Sequence, residues 1–347
     1  MSGGVTRVLF CALRRRDVVV PGGGRSSMLL VLGVLGMIAI AALALAVSIG
    51  SIAVPFSSLI AVLSGGGDPL HRTLILELRL PRALAAFATG GLLAIAGALM
   101  QVLLRNPLAD PYVLGLSGGA AVGALGAMLL GLGTVLVSGS AFIGAMVSTL
   151  LVFGLARGVG SWTPVRLLLT GVVVAAGWGA MITFLLVIGP TERLPGMLYW
   201  LMGDLAHAGE PWFALAILGG AILLLVPFGR SLNVLARGAL QAAALGVPVR
   251  ALEWLVYGVS SLLSAVAVTT AGAIGFVGLI VPHMLRLLFG SDQRLIIPAS
   301  GLAGGTLLVV ADTLARTVMA PEQLPVGVIT ALLGVPMFLV LLHRSRG

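Results

Sequence analysis

Apolar residues run along this chain in long blocks, and the charged residues fall almost entirely between the blocks. Charge-free windows cover 28–49, 83–104, 112–156, 167–191, 211–229, 254–282, 295–311 and 323–342. A helix needs about 20 apolar residues to cross roughly 30 Å of hydrocarbon, so each window is read as a membrane crossing. The 112–156 window is about twice that length, and its Gly131-Leu132-Gly133 turn signal divides it in two. Nine crossings are therefore visible. Lipid offers no partner for a free backbone group, so the crossings are expected to be helical and the fold to be an all-α integral membrane protein.

Arginine placement orients the segments. Arg7, Arg14, Arg15, Arg16 and Arg25 precede the first window, and Arg344 and Arg346 follow the last, which places both termini in the cytoplasm. Two ends on one side require an even number of crossings. The tenth is expected within 271–290, where Gly272, Gly275, Gly278 and Pro282 interrupt the apolar run and suit a short or broken span. With that topology fifteen arginines lie inside and five outside. Residues 1–27 read as a cytoplasmic arginine-rich segment. They are not read as a secretory signal, because the apolar run after them is long enough to stay as an anchor. Residues 28–347 read as a single membrane domain.

Composition agrees with this picture. The chain is 59% hydrophobic and 9% charged, with a mean hydropathy of +1.16. Its 49 glycines point to close helix packing in lipid, with Gly119/Gly123 and Gly301/Gly305 as candidate packing faces. The net charge of +9 follows the topology and carries no interleaved aromatics, so nucleic acid is excluded as a partner. Cys11 is the single cysteine and permits neither an internal disulfide nor a cysteine metal site. None of the 20 basic residues is a lysine, so the chain has neither a P-loop nor a Schiff-base lysine. It is not expected to be an enzyme or to hold a cofactor, and any ATP hydrolysis belongs to another chain.

Other classes fall for lack of their residues. No His-Glu-x-x-His motif is present, and nothing resembles a selectivity filter. Acidic residues lie near segment ends, which disfavours a proton relay. His283 has no second ligand at metal spacing.

Four constellations remain. Arg79-Leu80-Pro81-Arg82 and Arg316 sit at the outer ends of two segments, against the charge bias; an anionic partner and interfacial snorkelling fit them equally. Asp312 and Arg316 are placed i, i+4 with the acid first, the favourable order for a helix pair. In the 101–119 stretch, Asn106-Pro107 and Asp110-Pro111 stop the helix and predict a rigid non-helical link. The inner loop 230–250 favours a short helix over 236–245 that Gly246 ends, either a docking surface or a solvated loop.

These residues together resemble the FecCD permease family, the membrane subunits of type II ABC importers for iron-siderophores, haem and cobalamin. The resemblance rests on RLPR at 79–82, Q-x-x-x-RNPLADP at 101–111, YWLMGDL at 199–205, LGVPVR at 245–250, GAIGFVGLIVPH at 272–283, AD-x-x-x-R at 311–316 and LPVGVITALLGVP at 324–336, in the family's order. It implies ten helices per subunit and a homodimer, with the pathway on the dimer axis. Below the dimer it implies two copies of an ATP-binding subunit, and outside it a periplasmic or lipid-anchored binding protein. The setting is the inner membrane of a bacterium. Arg79, Arg82 and Arg316 match family arginines that receive acidic side chains of the binding protein. Arg237, Ala239, Leu240, Leu245, Gly246 and Val247 match the coupling region that seats in the ATPase, and Thr163, Pro164 and Val165 match the inner gate. The implied cargo is a metal chelate, iron-siderophore or haem first and cobalamin as the alternative. The sequence departs from the family pattern in two places. No acid stands at Ala239 or Leu240, and Gln323 holds the place of an acid, with Glu322 one step early. Pro164 and Val165 replace small hydroxyl residues, which leaves both a hydrophobic and a polar gate open.

Overall fold

The computed structural model describes residues 25–50, 55–66, 68–157, 163–206 and 208–344. Among these every regular element is helical. The arginines at 7, 14, 15, 16 and 346, and Cys11, lie outside the described residues.

The chain opens with α1 (Arg25–Ser48), α2 (Phe56–Leu63) and α3 (Pro69–Thr73), continues through a widened π-type turn (Leu74–Arg79) and enters α4 (Leu80–Leu103). A tight 3-10 turn (Pro111–Leu114) leads to α5 (Leu116–Leu129), followed by α6 (Thr134–Arg157), α7 (Pro164–Ile188), α8 (Leu194–Met202) and α9 (Trp212–Leu225). After a second tight turn come α10 (Gly229–Arg237), α11 (Ala239–Ala244), α12 (Val249–Ala271), α13 (Val277–Phe289), α14 (Gln293–Thr317) and α15 (Val326–Arg344). Seven helical stretches among the described residues are long and apolar enough to cross a membrane; three shorter apolar helices are Leu116–Leu129, Val277–Phe289 and Val326–Val340.

The centre of the bundle is α4, whose Ala- and Gly-rich run is almost wholly buried and is packed by α14, α12 and α13. Small residues allow this, because without a hydrophobic drive in lipid helices associate through close backbone contact. A Cβ at Gly90 would strike the carbonyl of Gly304 on α14, one at Gly91 would sit 2.9 Å from the Gly301 carbonyl oxygen, and one at Gly97 would overlap the Gly278 carbonyl on α13. The Gly119 and Gly123 stripe closes α5 on the backbone of Gly144 and Ser140 in α6, and Phe87 fills the space left by Gly305. Both glycine pairs therefore act as packing faces.

The Gly131 turn separates α5 from α6 in the left-handed region at φ +71°, as its position in the long apolar window predicts. The Asn106–Pro111 link is non-helical, with the Asn106 and Asp110 carboxamide and carboxylate accepting from Leu108 and Tyr112 N–H. The 271–290 region forms the separate short helix α13 after a non-helical Gly272–Phe276 segment. One expectation changes in detail. The inner-loop helix is broken at Gly238, whose φ of +142° with ψ of 144° no helix accommodates, so 239–244 stands apart from α10.

Candidate functional site

At one end of the bundle the motif arginines converge. Arg79 closes the π-type turn, and Pro81 and Arg82 follow in the first turn of α4. Arg79 Nη1 donates to the carbonyls of Val47 and Ser48, each at 3.0 Å, and Arg316 Nη2 donates to Ala46 O at 3.1 Å. Both guanidiniums thus serve the unpaired, electronegative end of α1.

Asp312 joins the group. Arg82 meets its carboxylate through Nε, at 3.1 Å from each oxygen, and through Nη2 at 2.8 Å; Arg316 Nε approaches it from the other side at 3.0 Å. The i, i+4 pair exists, and α4 adds a second guanidinium that lies 230 positions away in sequence. Arg79 is 7% exposed, Arg316 8% and Asp312 1%. Arg82 and Arg316 therefore meet their first anion inside the chain. Gln323 accepts from Arg82 Nη1 at 2.8 Å, so a neutral group replaces the expected acid and leaves the cluster more cationic. A cavity of about 370 Å³ opens here, lined by Arg79, Arg82, Arg316, Gln323 and Glu77 among others.

The opposite end carries the inner loop. Arg237 lies in the last turn of α10, and α11 presents Leu240 at 88% exposure and Leu245 at 71%. Gly246 has φ +75°; its N–H bonds Ala243 O, and Val247 N–H reaches back to Ala242 O, each at 3.0 Å. This paired closure of a helix C-terminus needs a left-handed residue, which is why glycine sits there. Ala239 and Val247 flank the exposed leucines at intermediate burial. The loop offers an apolar tip with no acid, a surface suited to a protein partner.

Thr163 caps α7, its hydroxyl accepting from Arg166 N–H at 3.3 Å, Pro164 opens the helix, and Val165 is exposed. Three further groups escape sequence reasoning. Arg193 donates to Met128 O and Leu129 O at 2.7 and 2.6 Å, closing the end of α5. Gln101 reaches Ala109 O and Leu279 O, and Arg286 bonds the same amide, bracing α4 against α13. Asn233 on α10 bonds Asp292 ahead of α14 at 2.9 Å. Each involves a residue whose partner is distant in sequence, so no local pattern announces it. A mixed cavity of about 490 Å³ lies between the α5–α6 turn, α8 and the end of α12, lined by Tyr199, Trp200, Asp204 and Thr269 among others. Among the described residues no group of three His, Cys, Asp or Glu side chains could hold a metal ion.

An all-helical bundle of apolar spans, with non-helical stretches held within the protein, is the architecture of a polytopic membrane protein. The chain belongs to the FecCD transport family, whose profile matches residues 38–344. It is 43% identical to the cobalamin import system permease of Halobacterium salinarum over 82% of this chain and 77% of that one. It is 42% identical to the hemin transport system permease of Yersinia pestis over 78% of this chain and 83% of that one. A solved structure assigned to the metal-chelate type of ABC transporter, in an inward-facing conformation, superposes with a TM-score of 0.80 at 30% identity, covering 90% of this chain and 99% of that one.

Proposed function

We propose that this chain is the permease subunit of a binding-protein-dependent ABC importer that carries a metal chelate inward across the cytoplasmic membrane. The observation that carries the reading is the pair of unlike faces at the two ends of one bundle: a cationic arginine cavity and an exposed apolar loop. A permease held between an external binding protein and an internal ATPase needs two such faces. On this reading acidic side chains of the binding protein enter the Arg79, Arg82 and Arg316 cavity, and two ATPase copies seat the α11 loop from Arg237 to Val247. Thr163, Pro164 and Val165 stand at the inner gate. The seven long spans and three shorter apolar helices make ten crossings with both ends cytoplasmic, and residues 28–347 act as one permease domain. The apolar face of α7, where Val173 and Val187 are exposed, suits a second copy of the chain or lipid.

For cargo, haem or an iron-siderophore is the first reading, supported by the hemin permease relative. The cobalamin relative supports cobalamin as the second. The ligand retained by the cognate binding protein separates the two.

Reconstitution with the ATPase and binding protein tests the two faces separately. Gly246→Val places a β-branched residue at a left-handed position, at a cost of roughly 1–2 kcal/mol, and is expected to release or uncouple the ATPase while the membrane bundle stays folded. ATPase capture and uptake at wild-type levels would remove the loop from the mechanism. Arg79→Gln keeps a donor for the α1 carbonyls and removes the charge. It is expected to weaken binding-protein docking by roughly tenfold and to flatten its salt dependence, leaving ATPase capture unchanged. An unaltered affinity and salt slope would confine Arg79 to closing α1.

A further inference from the structure

Asn233 and Asp292 connect two elements that nothing in the local sequence relates. The Asn233 Nδ2 donates to Asp292 Oδ1 at 2.9 Å, and Asn233 Oδ1 accepts the Gln293 N–H at 2.7 Å. One amide thus spends both its ends on the start of α14. Asp292 is the N-cap of that helix: its Oδ1 accepts the Arg294 N–H at 3.0 Å, and the Arg294 guanidinium closes on the same carboxylate at 2.6 Å. Burial raises the Asp292 carboxyl, but the hydrogen bonds from Arg294 and Asn233 outweigh it and hold the group at about 2, so the clamp contains a carboxylate at neutral pH. One turn earlier on α10, a Cβ at Gly229 would lie 2.6 Å from Arg294 Cγ and 3.1 Å from its backbone nitrogen. Backbone contact and the bidentate amide leave no room for α10 to slide on α14.

The two ends of this connection matter for what it does. Beyond α10 the chain turns at Gly238 into α11 and the Gly246 loop. From Asp292, α14, 25 residues and roughly 37 Å long, leads to Asp312 and Arg316 near its far end in the arginine cluster. Pro298 removes one hydrogen bond near the start of α14, but the helix continues unbroken to Thr317 and packs along α4, so its two ends belong to one braced element. We propose that Asn233 is a positioning residue that ties the α11 loop to α14, so that a displacement of the loop is passed along α14 to the Arg82, Asp312 and Arg316 cluster. The inference rests on the reading of that loop as the ATPase seat.

The test uses the full complex of permease, ATPase and binding protein in liposomes, following ATP hydrolysis stimulated by the loaded binding protein and cargo uptake per ATP consumed. Asn233→Asp sets a second carboxylate against Asp292 and removes the donor. Stimulation and uptake per ATP are expected to fall about tenfold, while ATPase co-purification and binding-protein docking persist. The exchanged pair Asn233→Asp with Asp292→Asn regains one amide-to-carboxylate bond across the contact and keeps an acceptor for the Gln293 N–H, but gives up the carboxylate that pairs with the Arg294 guanidinium. That double variant is expected to recover coupling above the single variant without reaching wild type. A purely structural role would change the melting temperature and leave uptake per ATP constant. Wild-type coupling in Asn233→Asp overturns the inference, as does an exchanged pair that is folded yet as uncoupled as the single variant. Gly246→Val in the same assay separates the two levels. If it uncouples and Asn233→Asp does not, the Asn233 inference alone fails; if it leaves ATPase capture and uptake untouched, the seat assignment fails and the inference with it.

Discussion

Replacing Asp312 by alanine is expected to lower the melting temperature of the detergent-solubilised protein by on the order of 10 °C, from a loss of about 3–5 kcal/mol. Asp312 is 1% exposed and is the one carboxylate that both Arg82 and Arg316 engage. Its removal leaves two guanidiniums, one of them 8% exposed, facing each other without compensation. Arg316 cannot swing out to water, because it also bonds Ala46 O on α1. Arg82→Leu should cost less, since Asp312 keeps Arg316 as its partner. Combining Asp312→Ala with Arg82→Leu should cost less than the sum of the single variants, because one of the two stranded charges is then gone. Differential scanning fluorimetry on the four proteins gives the comparison. An Asp312→Ala protein that melts with wild type would mean that water or lipid headgroups already neutralise the cluster.

Gly97→Val is expected to prevent the protein from accumulating in the membrane. A Cβ at Gly97 would fall on the carbonyl of Gly278, and the neighbouring atoms are backbone of α13 rather than a side chain that could rotate away. The helices cannot separate to make room. Gln101, one turn along α4, bonds Leu279 O, and Arg286 from α13 bonds both Gln101 and Ala98 O. Overpacking a core ordinarily costs about 1–3 kcal/mol, and a clash with pinned backbone lies at or above the top of that range. Gly126→Ala is the matched control. Its Cβ meets nothing within 4 Å, so removing a helix-interior glycine should be neutral or stabilising by up to about 1 kcal/mol. Normal amounts of Gly97→Val in solubilised membranes would show that α4 and α13 separate more easily than their contacts imply.

The cluster around Asp312 also bears on the docking proposal. Arg82 and Arg316 serve the fold before they serve a partner, so reversing all three arginine charges would confuse docking with stability. Arg79, bonded to helix-end carbonyls rather than to Asp312, gives the cleaner test.

Much of this molecule was already legible along the chain, because the features in question depend on residues near one another in sequence. The apolar windows mark where helices cross, since spanning depends on length and hydropathy alone. The Gly131 turn, the Asn106-Pro107 and Asp110-Pro111 link, the Gly246 stop and the Asp312–Arg316 pair each follow from local backbone preference or helical spacing. What surrounds each helix was decided only by the tertiary structure. Spans such as α5, α6 and α9 are apolar on every side, so no amphipathic stripe says which face turns inward, and lipid exerts no hydrophobic pull between them. Register then depends on where small residues let backbones touch, as at Gly97 against Gly278 and Gly90 against Gly304. Arg82 meets Asp312 across 230 residues, and Asn233 bonds Asp292 across 59, because that packing brings their helices together. The sequence determined that arginine, aspartate and asparagine were present at the helix ends; close backbone packing determined which of them would meet.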